Sequence, residues 1–369
     1  MFQKLTIDNY RLFKHFQLQD IGQVNLVVGM NNSGKSSLLE AIYLLTNNEP
    51  GMSLAFILGE RGEFISRMGD PRYNRRIDGG YQVSHAFYGH SLEKVQRVTI
   101  RADNGENHYL DMTLQNVRAK KDNGITQNSL FEEEDTDIER RIQSLIVEHA
   151  RPGIDLKKES MRVVEGGILP YRNSFTGFTL PDQSSRLVTT NYLAYDDLAI
   201  LWDTITLTPR EELIVEALQI LEPRVERISF TSRRTSNSGI LLKLKGEQEP
   251  VPLGSMGDGM RRVLAIVASL VSVDKGTLLI DEIDTGLYYA VLTDMWKLIL
   301  ETARRLNVQV FASTHSWDCV RAFQEALEGF SEPSSGRLIR IEKTNGDIKP
   351  VTFTAKELDI AIQQGIEVR

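Results

Sequence analysis

Gly29-Met30-Asn31-Asn32-Ser33-Gly34-Lys35-Ser36 stands directly after the apolar run Val24-Asn25-Leu26-Val27-Val28. Beyond it, Leu38, Ile42 and Leu45, with Ala41, recur at the spacing that puts side chains on one face of a helix. The stretch reads as a strand, a glycine-rich loop and a helix, the context in which the pattern G-x-x-x-x-G-K-[ST] forms a P-loop. Its chemistry is anion binding. Glycines let backbone N–H groups converge on phosphate oxygens, and the helix N-terminus adds the positive end of its dipole. Lys35 is placed to reach β- and γ-phosphates and Ser36 to ligate Mg2+. The candidate nucleotide-binding residues are Gly29, Asn31, Asn32, Ser33, Gly34, Lys35, Ser36 and Ser37.

Three segments far from the loop carry related chemistry. The apolar strand Leu278-Leu279-Ile280 ends in Asp281-Glu282, and burying two adjacent carboxylates without a cation is costly. A metal nearby answers that cost. Asp281 is placed to hold the Mg2+ shell, directly or through water, and Glu282 to orient and deprotonate an attacking water. The structural alternative is that both acids cap the next helix. His315 follows Phe311-Ala312-Ser313-Thr314, just past the end of another apolar strand, on the side of a parallel sheet where ligands collect. There an imidazole can sense a γ-phosphate by donating a hydrogen bond to it or to water; a satisfied structural histidine is the alternative. Finally, Leu253-Gly254-Ser255-Met256-Gly257-Asp258-Gly259-Met260-Arg261-Arg262 precedes a helix whose apolar face is Val263, Val267, Leu270 and Val271. That makes a second anion-ready helix N-terminus, against the plainer reading of a glycine-rich turn with a cap.

Around these motifs the chain alternates strand and helix. Strands are predicted at Lys4–Asn9, Val95–Arg101 and Tyr109–Leu114, and helices near Asp196–Thr204 and Pro209–Leu221. The acidic run Glu132-Glu133-Glu134-Asp135 is read as opening a helix toward Ala150. After Leu253 come a helix from Asp258 to Val273, a strand at Thr277–Ile280, a helix from about Tyr288 to Leu306 and a strand at Val308–Ala312. A strand at Arg337–Lys343 and a helix at Ala355–Gln364 close the chain. Such alternation implies a parallel sheet covered by helices. The expected division is a core from 1–50 and 251–369, with 51–250 an inserted lobe, part of it completing the core sheet.

The 369 residues exceed a typical single domain, and 41% hydrophobic with 25% charged residues is ordinary for a globular chain. A net charge of −7 leaves nucleic acid only a local basic patch to bind. The best such clusters are Arg72-Tyr73-Asn74-Arg75-Arg76 and Ser232-Arg233-Arg234. The single cysteine, Cys319, excludes an internal disulfide framework and a cysteine-based zinc site, and suits a reducing compartment. No apolar run approaches the ~20 residues that span a bilayer, and the N-terminus lacks a signal-peptide stretch. A cytoplasmic protein without a membrane role is expected.

In order, the P-loop, Ser255-x-Gly257-x-Gly259 before a helix, Ile280-Asp281-Glu282-Ile283-Asp284 and Ser313-Thr314-His315-Ser316 resemble the ABC ATPases. More closely they look like the RecF, SMC and OLD-like branch, AAA family ATPases of the AAA-15 or AAA-21 type. The resemblance covers about the first fifty residues and Leu253 to Phe323. It implies an α/β P-loop NTPase, an ABC-ATPase head with a mostly parallel sheet and an inserted mixed α/β lobe. It also implies that two heads sandwich two ATP molecules with Mg2+. Ser255, Gly257, Asp258 and Gly259 would then meet the γ-phosphate in trans, with Glu282 the catalytic base, His315 the switch histidine and Lys35 the phosphate-binding cation. Arg11 stands where family members often place a basic residue near the nucleotide.

By the same resemblance the partners are a second copy, or a multiple of dimers, and a separate effector, with a nuclease and DNA among the candidates. The some forty-five residues after Phe323, where the resemblance ends, are too few for a TOPRIM domain. No heptad pattern marks a coiled-coil arm. Tyr288 departs from the Asp or His usual after Asp281–Leu287, and Gln183 and Asn191 are the candidates for a glutamine loop. The competing readings are an ATP-gated clamp with slow hydrolysis, a transporter nucleotide-binding subunit, against which the absence of L-S-G-G-Q argues, and a P-loop kinase.

Overall fold

The computed structural model describes residues 1–65, 80–93, 95–103, 107–118, 141–151, 154–164, 167–168, 184–190, 193, 195–231, 239–273, 275–344 and 347–369. The chain opens with β1 (Leu5–Tyr10), β2 (Phe13–Leu18) and β3 (Val24–Val28), then α1 (Lys35–Thr46) and α2 (Pro50–Glu60). Two short strands, β4 (Phe64–Ile65) and β5 (Gly80–Gln82), precede β6 (Arg97–Asp103), β7 (Asn107–Arg118), β8 (Arg141–Arg151), β9 (Ile154–Val164) and β10 (Gly167–Ile168). Next come β11 (Ser185–Val188), α3 (Tyr195–Ile205), α4 (Arg210–Gln219), β12 (Val225–Thr231), β13 (Gly239–Leu244) and β14 (Val251–Pro252). The last part holds α5 (Asp258–Ser272), β15 (Thr277–Ile280), α6 (Leu292–Leu306), β16 (Gln309–Ser313) and α7 (Trp317–Glu328). It ends with β17 (Gly336–Thr344), β18 (Asp347–Thr354) and α8 (Ala355–Gln363).

The order β11-β15-β16-β3-β17-β18 makes one sheet, parallel from β11 to β17 with β18 antiparallel at its edge. Its inner strands are buried on both faces, which is why they read as continuous apolar runs. Strand alternation then sorts the side chains between two cores. Val24, Leu26, Val28, Leu278, Ile280, Val310 and Ala312 join one, while Val27, Leu279, Phe311 and Ile339 join the other. The first core is completed by α3 to α8 and the second by α1, α2 and a nine-stranded antiparallel sheet, β2-β1-β6-β7-β8-β9-β10-β5-β4. A hairpin-based third sheet, β12-β13-β14, leads into α5. The mostly parallel arrangement thus describes the six-stranded sheet and not the larger one.

Helix α1 touches strands of both large sheets and buries every residue except Ser36. A helix apolar nearly all round suits a position inside a sandwich. Residues 51–250 supply β6 to β9 to the antiparallel sheet and β11 to the parallel one.

Two readings of local structure are corrected and one strand is added. The helix expected toward Ala150 is strand β8, paired with β7 from Arg118↔Arg141 to Tyr109↔Ala150. Its buried run Ser144-Leu145-Ile146-Val147 gains more from sheet pairing than its helical spacing could offer. The helix expected from Tyr288 begins at Leu292, behind a 3-10 turn at Tyr289–Val291. Between Tyr10 and Val24, where no element was expected, Phe13–Leu18 form β2, whose exposed Lys14-His15 pair breaks the alternation that would reveal it. The acidic run at 132–135, the arginines at 72, 75, 76, 233 and 234, Gln183 and Asn191 lie outside the described residues. Among the described residues no helix is long and apolar enough to cross a membrane.

Candidate active site

Because β3, β15 and β16 are parallel neighbours, their C-terminal ends lie side by side and bring three distant segments together. A cavity of about 340 Å³ opens there, lined by Asn31 to Ser37, Asp281, Glu282 and His315, together with Arg11, Leu12, Arg61, Glu63 and His90. The loop entering it demands glycine at two points. A Cβ on Gly29 would meet the Ile341 carbonyl oxygen at 2.6 Å, and one on Gly34 would meet the Phe13 ring at 2.9 Å; both positions have positive φ.

Lys35 curls back over its own loop, its ammonium donating to the carbonyls of Gly29 (2.8 Å) and Met30 (3.0 Å) and lying 3.4 Å from His315 Nδ1. An ammonium has only donors, so Nδ1 accepts and the ring proton sits on Nε2. That Nε2 faces Glu282 Oε1 at 3.8 Å. Burial lowers the Lys35 pKa, opposed by the charges of Asp281 and Glu282.

Ser36 Oγ donates to Asp281 Oδ2 at 2.8 Å, and Ser313 Oγ donates to the other carboxylate oxygen. The hydroxyl and the carboxylate form a pair of hard oxygen ligands beside a phosphate-binding loop, a set that fits Mg2+. No cluster of three or more His, Cys, Asp or Glu side chains able to hold a metal by themselves occurs among the described residues. Glu282 sits in the left-handed region at φ 48° with its N–H donating to Ser313 Oγ at 2.9 Å. A non-glycine residue held there stores strain of a kind that collects at functional sites. The consequence is that Glu282 turns its half-exposed carboxylate toward His315 while Asp281 turns toward Ser36.

The glycine-rich segment before α5 lies elsewhere. Ser255 is exposed on a 3-10 turn at Leu253–Met256, Gly257 has φ 92°, and Asp258 and Gly259 begin the helix. None of the four lines the P-loop cavity among the described residues. Three residues later, Arg262 is fully buried and donates to the carbonyls of Thr189 (2.7 Å), Asp281 (2.5 Å) and Glu282 (3.0 Å). A Cβ on Gly259 would meet the Gly286 carbonyl at 2.9 Å, so this helix start also presses on the segment that follows the acids.

Arg11 reaches the cavity but is committed elsewhere. It is 4% exposed, pairs with Glu40 at 2.6 Å and Glu63 at 2.9 Å, and those carboxylates with Tyr10 raise its pKa against the cost of burial. Arg61 pairs with the other oxygen of Glu40 at 2.5 Å. Sequence reading did not single out Arg61, Glu63, His90, Ser313 or Arg262. Ser313 could have been found as a hydroxyl at the end of a buried strand, and Arg262 as an arginine on the apolar side of α5. Arg61, Glu63 and His90 carry no local signal, since only the packing of α2 and the 83–90 turn brings them here.

A family model described as "AAA domain, putative AbiEii toxin, Type IV TA system" (AAA_21) matches residues 24–318, from β3 through the histidine segment. The chain belongs to the AAA_21 family. It is 21% identical to an ATP/GTP phosphatase of Helicobacter pylori (strain ATCC 700392 / 26695), covering 97% of both chains. It is 33% identical over 88 residues to the DNA replication and repair protein RecF of Caldanaerobacter subterraneus subsp. tengcongensis, 22% of this chain and 24% of that one. In fold, this AAA_21 member is similar to an SMC head crystallised with the C-winged helix domain of ScpA, at a TM-score of 0.50 and 14% identity over 98% and 99% of the two chains. It is a RecF/SMC-like P-loop ATPase with an SMC-head-like α/β fold.

Proposed function

We propose that this chain binds ATP with Mg2+ and hydrolyses it to ADP and phosphate, at sites shared between two copies. What carries the reading is the convergence of Lys35, Ser36, Asp281, Glu282 and His315 on one cavity at the ends of three parallel strands. The N–H groups of Asn31 to Ser37 and the Lys35 ammonium hold the β- and γ-phosphates. Ser36 and Asp281 hold Mg2+, which when bound neutralises charge on the phosphates. Glu282 orients a water and takes its proton as the water oxygen attacks the γ-phosphorus and the bond to the bridging oxygen of ADP breaks. His315, with its proton on Nε2, donates to the γ-phosphate or to that water. The test is Glu282→Gln: binding of Mg-ATP should persist while turnover falls by about 10²- to 10⁴-fold. Undiminished turnover in that variant would overturn the assignment of the base.

The exposure of Ser255, Gly257 and Asp258, with the half-buried Gly259 beside them and all four outside their own cavity, supports their acting on nucleotide bound to a second copy. Closure of such a pair gates a separate effector, with a nuclease and DNA among the candidates, in DNA maintenance or defence against phage in the cytoplasm. The family description naming a toxin of a type IV system favours the second setting. The name of the Helicobacter pylori relative favours turnover over a clamp that hydrolyses only to reset itself.

A further inference from the structure

The cavity lining is of two chemical kinds. One is the P-loop, the two acids and His315. In the other, contributed by the β1–β2 turn, the end of α2 and the 83–90 turn, the charges cancel: Arg11 is tied to Glu40 and Glu63, and Arg61 to Glu40, so this part of the lining is no second anion site. What it still offers a ligand is the apolar side chain of Leu12, the edge of the Glu63 carboxylate and the imidazole of His90. A ring to stack on, an apolar wall and an acceptor for a hydroxyl or exocyclic amine are what a purine nucleoside requires.

The mounting of His90 points the same way. Gly89 and His90 are consecutive left-handed residues, at φ 73° and 57°, and for histidine that conformation costs energy. The turn is held rigidly in return. The His90 N–H donates to the Phe87 carbonyl at 3.0 Å, Phe87 is buried and bridges to Tyr10, and the Arg11 N–H donates to the Ala86 carbonyl at 3.0 Å. His90 is therefore fixed to the same rim that carries Arg11 and Leu12. Its ring is fixed too. His85 Nδ1 and His90 Nδ1 lie 3.2 Å apart with the rings 67° to one another, a contact in which one donates and the other accepts. The Nε2 of His90 has no partner among the described residues.

We infer that His90 contacts the nucleoside of the bound triphosphate, with His85 as its positioning residue, and so sets the preference for a base-bearing nucleotide over a bare triphosphate. This rests on the nucleotide reading above. The experiment compares binding of Mg-ATP and of inorganic tripolyphosphate with Mg2+ to the full chain by calorimetry. His90→Asn is the variant of choice, since asparagine tolerates the left-handed backbone and removes the ring. ATP should weaken by about 5- to 150-fold, the loss of one base contact, with tripolyphosphate unchanged. His90→Phe, which keeps a ring, should recover most of the loss, and His85→Ala should weaken ATP alone by a smaller factor. Unchanged ATP affinity in His90→Asn, or an equal loss for both ligands, would overturn the inference. Failure of the unaltered protein to bind either ligand would instead remove the P-loop reading beneath it.

Discussion

Lys35 is a cation kept where burial works against its charge, and that tension makes its binding role measurable. Its pKa lies below the 10.5 of an exposed lysine, chiefly through desolvation. In the window between the lowered value and 10.5 the unfolded chain binds more protons than the folded one, so this group's contribution to stability of the nucleotide-free protein rises with pH there. Nucleotide binding works in the opposite sense, because phosphates favour the ammonium. Affinity for ATP should therefore fall as pH rises through the lowered pKa, with proton uptake on binding that calorimetry in buffers of different ionisation enthalpy can read. A pH-independent affinity across that range would mean that Lys35 is not the phosphate-binding cation. Glu282 illustrates a different residue-scale lesson. Its chemical type and place after a buried strand were legible, but its left-handed backbone, which separates its direction from that of Asp281, belongs to the Ser313 contact and could not be read.

At the scale of elements, close approach and burial set the sensitive points. A Cβ on Gly276 would lie 2.1 Å from the Ser184 carbonyl oxygen, where β15 enters the sheet beside β11. Gly276→Ala should cost on the order of 1–3 kcal/mol, seen as a lower urea midpoint, because backbone and not a flexible side chain must move. On β7, burial and then the charge of Arg151 push the His108 pKa down to about 4 from 6.5. As pH falls below 6.5 the unfolded chain takes up a proton that the folded chain refuses, so stability should decline until about pH 4 and then level off. His108→Gln should flatten that part of the urea-midpoint profile; an unchanged profile would show that other groups govern it. Legibility followed the same physics. Parallel strands buried on both faces announce themselves, as β3, β15 and β16 did. Strand β8 did not, since its partners β7 and β9 outweigh its own spacing, and α2 hid within a lobe that gave no phosphate motif to anchor it.

For the whole molecule, nucleotide should control assembly. Light scattering of the Glu282→Gln protein with Mg-ATP should show a mass of two copies or a multiple, and Ser255→Arg in the same background should abolish the increase. A mass indifferent to nucleotide would leave Ser255 without its proposed role. The P-loop, the acid pair and the histidine were legible because each motif is contiguous in the chain. Arg61, Glu63 and His90 were not, because they become neighbours only when two sheets close over α1. Arg262 was quoted with its segment yet gave no hint of its role for the same reason. That residue has one more consequence. Its guanidinium grips the carbonyls of Asp281 and Glu282 from within α5, the helix that follows the Ser255 turn, and so ties the start of that helix to the acid pair. In kinematic terms the two are points on one crank. If two copies close on nucleotide as proposed, their two chambers should fire in step and not in turn.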